Sequence, residues 1–174
     1  MIGEPNVGKS SIIRHLLLGE FDENYHATPG VDLSAVALNV DPITPVILTT
    51  IDLGGQSDFG ELRTQYYRGA HYSVLVYDIS DRETFECLPS WYAGVLQNIG
   101  ATGSSKDNLP GMLIGNKSDL EEKRQVPSKD GRIYAELIGW QFYEASAKTG
   151  ENIKEIFTRI AKDLFAKFPP LAKG

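Results

Sequence analysis

Residues 3 to 11 read Gly-Glu-Pro-Asn-Val-Gly-Lys-Ser-Ser, and no other stretch constrains the fold as strongly. A chain that wraps a phosphate must turn several backbone N–H groups inward, and glycine allows that close approach. The spacing Gly3, four residues, Gly8-Lys9-Ser10 is the pattern G-x-x-x-x-G-K-[ST]. In it Lys9 would reach the β- and γ-phosphate oxygens and the Ser10 hydroxyl would ligate Mg²⁺. Pro5, Asn6, Val7 and Ser11 complete the cradle, and the helix that follows turns its positive end toward the same anion. A glycine-rich turn before an ordinary helix would share this pattern. The order of the later motifs decides between the two.

From Gly8 the periodicity is helical, with Ile12, Ile13, Leu16 and Leu17 on one side and an end near Gly19. A polar loop to Gly30 precedes an apolar segment, Val36 to Val40. Asp41-Pro42-Ile43-Thr44-Pro45 reads as a hairpin connection to a return strand, Val46 to Ile51. Val74 to Tyr77 and Met112 to Ile114 are short continuous apolar runs, as buried parallel strands require. Helices are predicted over Glu83–Ile99 and over Ser128–Ile138, the latter capped by Ser128. Trp140–Ala145 is the last strand. The final helix faces the sheet with Ile153, Ile156, Phe157, Ile160, Leu164 and Phe168, and Pro169-Pro170 stops it.

Strands alternating with helices predict one α/β domain over residues 1–174, a doubly wound, mostly parallel six-stranded sheet with helices on both faces. Ligands of such sheets bind at the carboxyl ends of the strands, where every short polar motif of this chain falls. The 174 residues suffice for one proper core, and a net charge of −6 argues against a broad basic face for nucleic acid. The single cysteine, Cys87, fits a reducing compartment, so a cytoplasmic protein is expected. No apolar run approaches the roughly 18 residues of a membrane span. His15, His26 and His71 show no ligand spacing. Trp91 and Trp140 read as packing residues, and Glu121-Glu122-Lys123-Arg124 as a solvated turn.

Further motifs follow in order: Thr28-Pro29-Gly30-Val31-Asp32-Leu33, Asp52-Leu53-Gly54-Gly55-Gln56, Tyr66-Tyr67-Arg68-Gly69-Ala70-His71 with Val76-Tyr77-Asp78-Ile79, Asn116-Lys117-Ser118-Asp119, and Ser146-Ala147-Lys148. Together they resemble the Ras superfamily of small GTPases, most nearly its Rab branch, over essentially the whole chain. The resemblance implies GTP/GDP and Mg²⁺ as ligands. Asn116, Lys117 and Asp119 would read guanine, with Lys117 lying along the base and steadying the phosphate loop. The Asp119 carboxylate, an acceptor only, suits the ring N–H and exocyclic amine of guanine, whereas adenine presents an acceptor there. Ser146, Ala147 and Lys148 resemble the second base-reading loop, with the Ala147 N–H aimed at the guanine oxygen. Phe21 matches the aromatic beside the base, and Tyr25 is counted among the nucleotide contacts.

By the same resemblance, Ser10 and Thr28 would bind Mg²⁺ directly and Asp52 through a water. The Gly55 N–H would sense the γ-phosphate. Gln56 would orient the attacking water, and Lys9 would stabilise the transferred charge. Implied partners are effectors at the two switch loops, an exchange factor and an activating protein, around a monomer. A peripheral position on the cytosolic face of an organelle membrane follows only with a lipidated tail, since Lys173-Gly174 offers no cysteine.

The chain departs from the family in four places. Pro5 and Asn6 replace two glycines of Ras, and Pro5 removes one backbone donor. Gly54-Gly55 is closer to Arf and Gα proteins than to Rab. Leu33 and Ile51 replace aromatic residues that read effectors. Met1-Ile2 stand where relatives carry a whole central strand, so the first strand is expected to be truncated. A rival to the hydrolysing switch is a GTP-binding scaffold subunit that does not hydrolyse; a P-loop ATPase is disfavoured by Asp119.

Overall fold

A computed structural model of the chain describes residues 1–22, 28, 30–53, 66–67, 69–99 and 109–169. Its first element is α1 (Lys9–Leu18), which glycine brackets at both ends. Gly8 at φ 95° lets the loop turn into the helix. Gly19 at φ 68° ends it by donating its N–H to the His15 carbonyl at 2.8 Å. Ile12 and Ile13 are buried and Leu16 is half-buried against the core. Leu17, expected on the same side, is turned outward at 39% exposure.

Strands β1 (Val31–Asp41) and β2 (Thr44–Leu53) form an antiparallel hairpin, Val31 opposite Leu53 at its open end. At the tip the Asp41 carboxylate accepts the N–H groups of Ile43 (2.9 Å) and Thr44 (2.8 Å), an Asx-type turn in place of a glycine. Leu38 and Leu48 point into the core, while Leu33, Ala35, Ala37 and Ile47 face outward.

Strands β3 (Ser73–Asp78), β4 (Gly111–Asn116) and β5 (Gln141–Ala145) are parallel, in the order β3-β4-β5. β3 and β4 are buried throughout, which is why their sequences are unbroken apolar runs. Alternate residues feed two cores. Val74, Val76, Met112 and Ile114 pack with α1 and with α5 (Ile153–Lys167). Leu75, Tyr77 and Leu113 pack against the opposite face, with Leu88 and Val95 of α3 (Leu88–Ile99) and Ala135 of α4 (Ser128–Leu137). Each such aliphatic side chain contributes about 1.5–3 kcal/mol on burial.

The described residues form five strands, and the sixth position is held by Met1 and Ile2. Ile2 donates to Val74 O and accepts from Val76 N, both at 2.9 Å, while Leu53 N donates to Met1 O at 3.3 Å. Ile2 thus forms a parallel bridge to Leu75 on one side, next to the end of β2 on the other. The sheet is joined where the phosphate loop leaves it.

Three expected elements differ. The helix over residues 83–99 is two, α2 (Arg82–Glu86) and α3, broken at Cys87. Pro89 has no N–H to continue the ladder, and its ring crowds the carbonyl four residues earlier. Ser128 is the first residue of α4 rather than its cap; Pro127 holds the cap position, with no side-chain cap. Phe168 lies past the end of α5, half exposed, its ring edge-to-face with His71 at 5.2 Å.

Candidate nucleotide-binding site

The loop between Ile2 and α1 is built for close backbone approach. A Cβ on Gly3 (φ 142°) would lie 2.2 Å from Val76 O, and one on Gly8 would lie 2.2 Å from Asn116 Nδ2. Asn6 adopts a positive φ of 65° between them, and Val7 is fully buried. No acidic residue occupies the first turn of α1, and no side chain caps it. Its N-terminal amides and positive dipole end therefore stay available to an anion. Lys9 is 6% exposed, and its ammonium donates to the carbonyls of Gly3 and Glu4, each at 2.9 Å. The cation is thereby held across the mouth of the loop.

Beside the lysine, three oxygen ligands converge. Ser10 Oγ lies 2.7 Å from Thr28 Oγ1, Ser10 donates to Asp52 Oδ2, and Thr28 Oγ1 lies 3.5 Å from that carboxylate oxygen. Asp52 is 1% exposed, and its other oxygen, Oδ1, is buried with no hydrogen-bond partner among the described residues. Such an orphan is costly in an apolar interior. Two hydroxyls and a carboxylate are hard oxygen donors, the set that suits Mg²⁺ completed by water and phosphate oxygens. The residues fit the ion.

On the far side of the loop, the ends of β4 and β5 bring Asn116–Asp119 and Ser146–Lys148 together. Asn116 is 1% exposed and laces three segments: its Nδ2 donates to Val7 O at 2.8 Å, and its Oδ1 accepts Ala147 N at 3.1 Å. The Ala147 N–H, expected to point at a base oxygen, is thus engaged by Asn116. Ser146, fully buried, donates to Asp119 Oδ1 at 2.5 Å and accepts Thr149 N at 3.1 Å, fixing the carboxylate at the pocket rim.

Lys117 sits in the left-handed region (φ 67°), and its ammonium pairs with Asp78 at 2.5 Å. The tie to the phosphate loop, expected of Lys117, is made by its neighbour Asn116. Phe21 is 39% exposed beyond α1, and Lys148 is exposed beside Ala147. Ser11 lies in the first turn of α1, and Pro5 is half-buried in the loop. Tyr25, Gly55 and Gln56 lie outside the described residues.

Two contacts were not foreseen. Trp91 Nε1 donates to the Glu4 carboxylate at 2.8 Å, so this indole is more than packing. Arg124 bridges Glu121 (2.6 Å) and Glu144 (2.7 Å) and is 17% exposed, tying the turn after β4 to β5. No periodic signal marks either, because each joins residues on different elements.

Fold and site together define a P-loop α/β domain whose glycine loop and hydroxyl–carboxylate cluster, at the carboxyl ends of its strands, suit a phosphate-bearing ligand and a hard divalent cation. A profile described as the Ras family matches residues 1–166. Rab-19 of Rattus norvegicus is 39% identical over 168 residues, covering 96% of this chain and 74% of the relative. Rab-19 of Mus musculus is 39% identical over the same shares, and that of Homo sapiens 38%. The chain belongs to the Ras family of small GTPases, on its Rab-like side. It is a GTP-hydrolysing enzyme and, as a small GTPase, a molecular switch.

Proposed function

We propose that the switch holds GTP or GDP across the two loop clusters just described, and acts in vesicular transport. The reading is carried by the convergence of Lys9, Ser10, Thr28 and the half-satisfied Asp52 beside the glycine loop. The amides of Asn6, Val7, Gly8, Lys9 and Ser10 cradle the α- and β-phosphates, Ser11 adds to the cradle from the helix, and Lys9 neutralises β- and γ-oxygens. Ser10 and Thr28 would hold Mg²⁺, with Asp52 acting through water, and the ion would supply charge neutralisation to the phosphates.

Asp119, oriented by Ser146, accepts the two donors of guanine. Asn116 keeps the base loop and phosphate loop in one geometry. Lys117 flanks the base, Phe21 packs beside it, Tyr25 contributes to nucleotide binding, and Ala147 and Lys148 close its far edge. In hydrolysis a water attacks the γ-phosphorus as the bond to the β,γ-bridging oxygen breaks, giving GDP and phosphate. Gln56 positions that water, and catalysis comes from placement and preorganised charge. Thr28 and Gly55 follow the γ-phosphate, so its loss releases both switch loops toward or away from effectors. An exchange factor and an activating protein set the cycle, on the cytosolic face of an organelle membrane.

Pro5 favours a second reading, a GTP-bound scaffold, because it withholds one N–H from the cradle. Single-turnover hydrolysis of bound GTP separates the two. The switch predicts measurable turnover in the wild type and at least about tenfold slower turnover in Gln56→Leu. Equal rates remove Gln56 from the reaction, and no turnover in a GTP-loaded wild type hands the case to the scaffold.

A further inference from the structure

Glu4 occupies an unusual place in the phosphate loop. Its carbonyl, with that of Gly3, receives the Lys9 ammonium at 2.9 Å. Its side chain points the other way, to the second helical layer, where Trp91 of α3 donates its indole N–H at 2.8 Å. Cys87, one turn before Trp91 at the break between α2 and α3, lies beside the same carboxylate; burial first and Glu4 second raise its thiol pKa. The loop is therefore pinned from outside the nucleotide pocket by a partly buried, charge-assisted hydrogen bond that spans 87 positions of sequence.

We propose that Glu4 and Trp91 are positioning residues for GTP hydrolysis: their bond fixes the Glu4 carbonyl, and through it the aim of Lys9 at the γ-phosphate. Neither side chain touches the nucleotide. The next residue, Pro5, gives the reason such a pin matters. A loop lacking one N–H holds its ligand with fewer contacts, so more of its geometry must be set from behind. Pro5 fixes its own φ and confines Glu4 to the extended region, which narrows the direction of the Glu4 carbonyl without setting it. Without the pin, Glu4 can shift within that region, and the second of the two carbonyl guides of Lys9 loses its aim. The β-phosphate, held by the amides of the helix N-terminus, is less affected than the γ-phosphate. The bond thus acts on hydrolysis and on the preference for GTP more than on the affinity for GDP. This rests on the role given to Lys9 above.

The test uses Trp91→Phe, which keeps the ring and removes the donor, Glu4→Ala, which removes the acceptor, and Glu4→Gln, which keeps one. Measured are the single-turnover rate of bound GTP, the Kd for GDP and for GTP, and the Tm. Expected is a rate lowered roughly tenfold in Trp91→Phe and Glu4→Ala, as small misplacements at a reacting centre do. Their Kd for GDP should move less than about twofold, rescue should be near complete in Glu4→Gln, and the double variant should be no slower than the worse single one. Unchanged rates in a wild-type background that hydrolyses GTP overturn the proposal alone. So do rate, GDP affinity and Tm all falling together, or no rescue by Glu4→Gln. A folded wild type that binds no GTP overturns the proposal and the role of Lys9 with it.

Discussion

Asn116 is one amide with three duties: it spaces β4 from the phosphate loop, holds the Ala147 backbone, and leaves Gly8 no room for a Cβ. Replacing it with aspartate sets a carboxylate against Val7 O, two acceptors facing each other in a buried site. Asn116→Asp should cost about 1–3 kcal/mol in denaturant unfolding and speed nucleotide release. Cys87 makes a second residue-level case. Its thiol stays protonated above the ordinary range because burial and Glu4 disfavour the thiolate. Alkylation at pH 8 should therefore be slower than for the same thiol in urea-unfolded protein, and equal rates would contradict the contact. Lys9, Ser10, Thr28 and Asp52 were legible in the sequence because short, ordered motifs name them. The Asn116 and Trp91 ties were not, since they join residues 109 and 87 positions apart that only the folded sheet brings together.

At the scale of elements, the apolar runs located β3 and β4 well, because a strand buried on both faces is written as an uninterrupted hydrophobic stretch. β1 begins at Val31, earlier than its apolar segment. Asp32 and Ser34 interrupt the run, and only pairing with β2 extends the strand through them. The helix expected over Glu83–Ile99 is split at Cys87, because Pro89 has no N–H to continue the ladder and its ring crowds the preceding turn. Asp81 itself caps α2, accepting Glu83 N at 3.1 Å; Asp81→Ala should lower stability by about 1 kcal/mol in chemical denaturation. At the hairpin tip, the Asp41 pKa is depressed chiefly by the Ile43 N–H, then by Thr44. A depressed carboxylate lends its stabilisation above the unfolded pKa and loses it as pH falls through the folded one. The Ile43 and Thr44 amide resonances should thus titrate together below the normal aspartate range, and their insensitivity to acid would contradict the turn.

Across the whole molecule, Met1 and Ile2 join the β1-β2 hairpin to the β3-β4-β5 sheet. That junction places Asp52 at the end of β2 beside the glycine loop, and Asn116 ties the ends of β4 and β5 to the same loop. The expectation of six strands becomes five and this bridge, while the doubly wound plan stands with helices on both faces. Among the described residues no helix is long and apolar enough to cross a membrane. Beside the glycine loop lie the buried Asp52 Oδ1, unpartnered among the described residues, and a helix N-terminus without a side-chain cap, the two features that the proposed ligand and cation would satisfy. The most direct measurement is the identity of the nucleotide released when the purified, folded protein is heat-denatured, resolved by chromatography. The account predicts guanine nucleotide, mostly GDP, near one per chain. A folded protein that releases adenine nucleotide, or none, even after incubation with GTP and Mg²⁺, would contradict it.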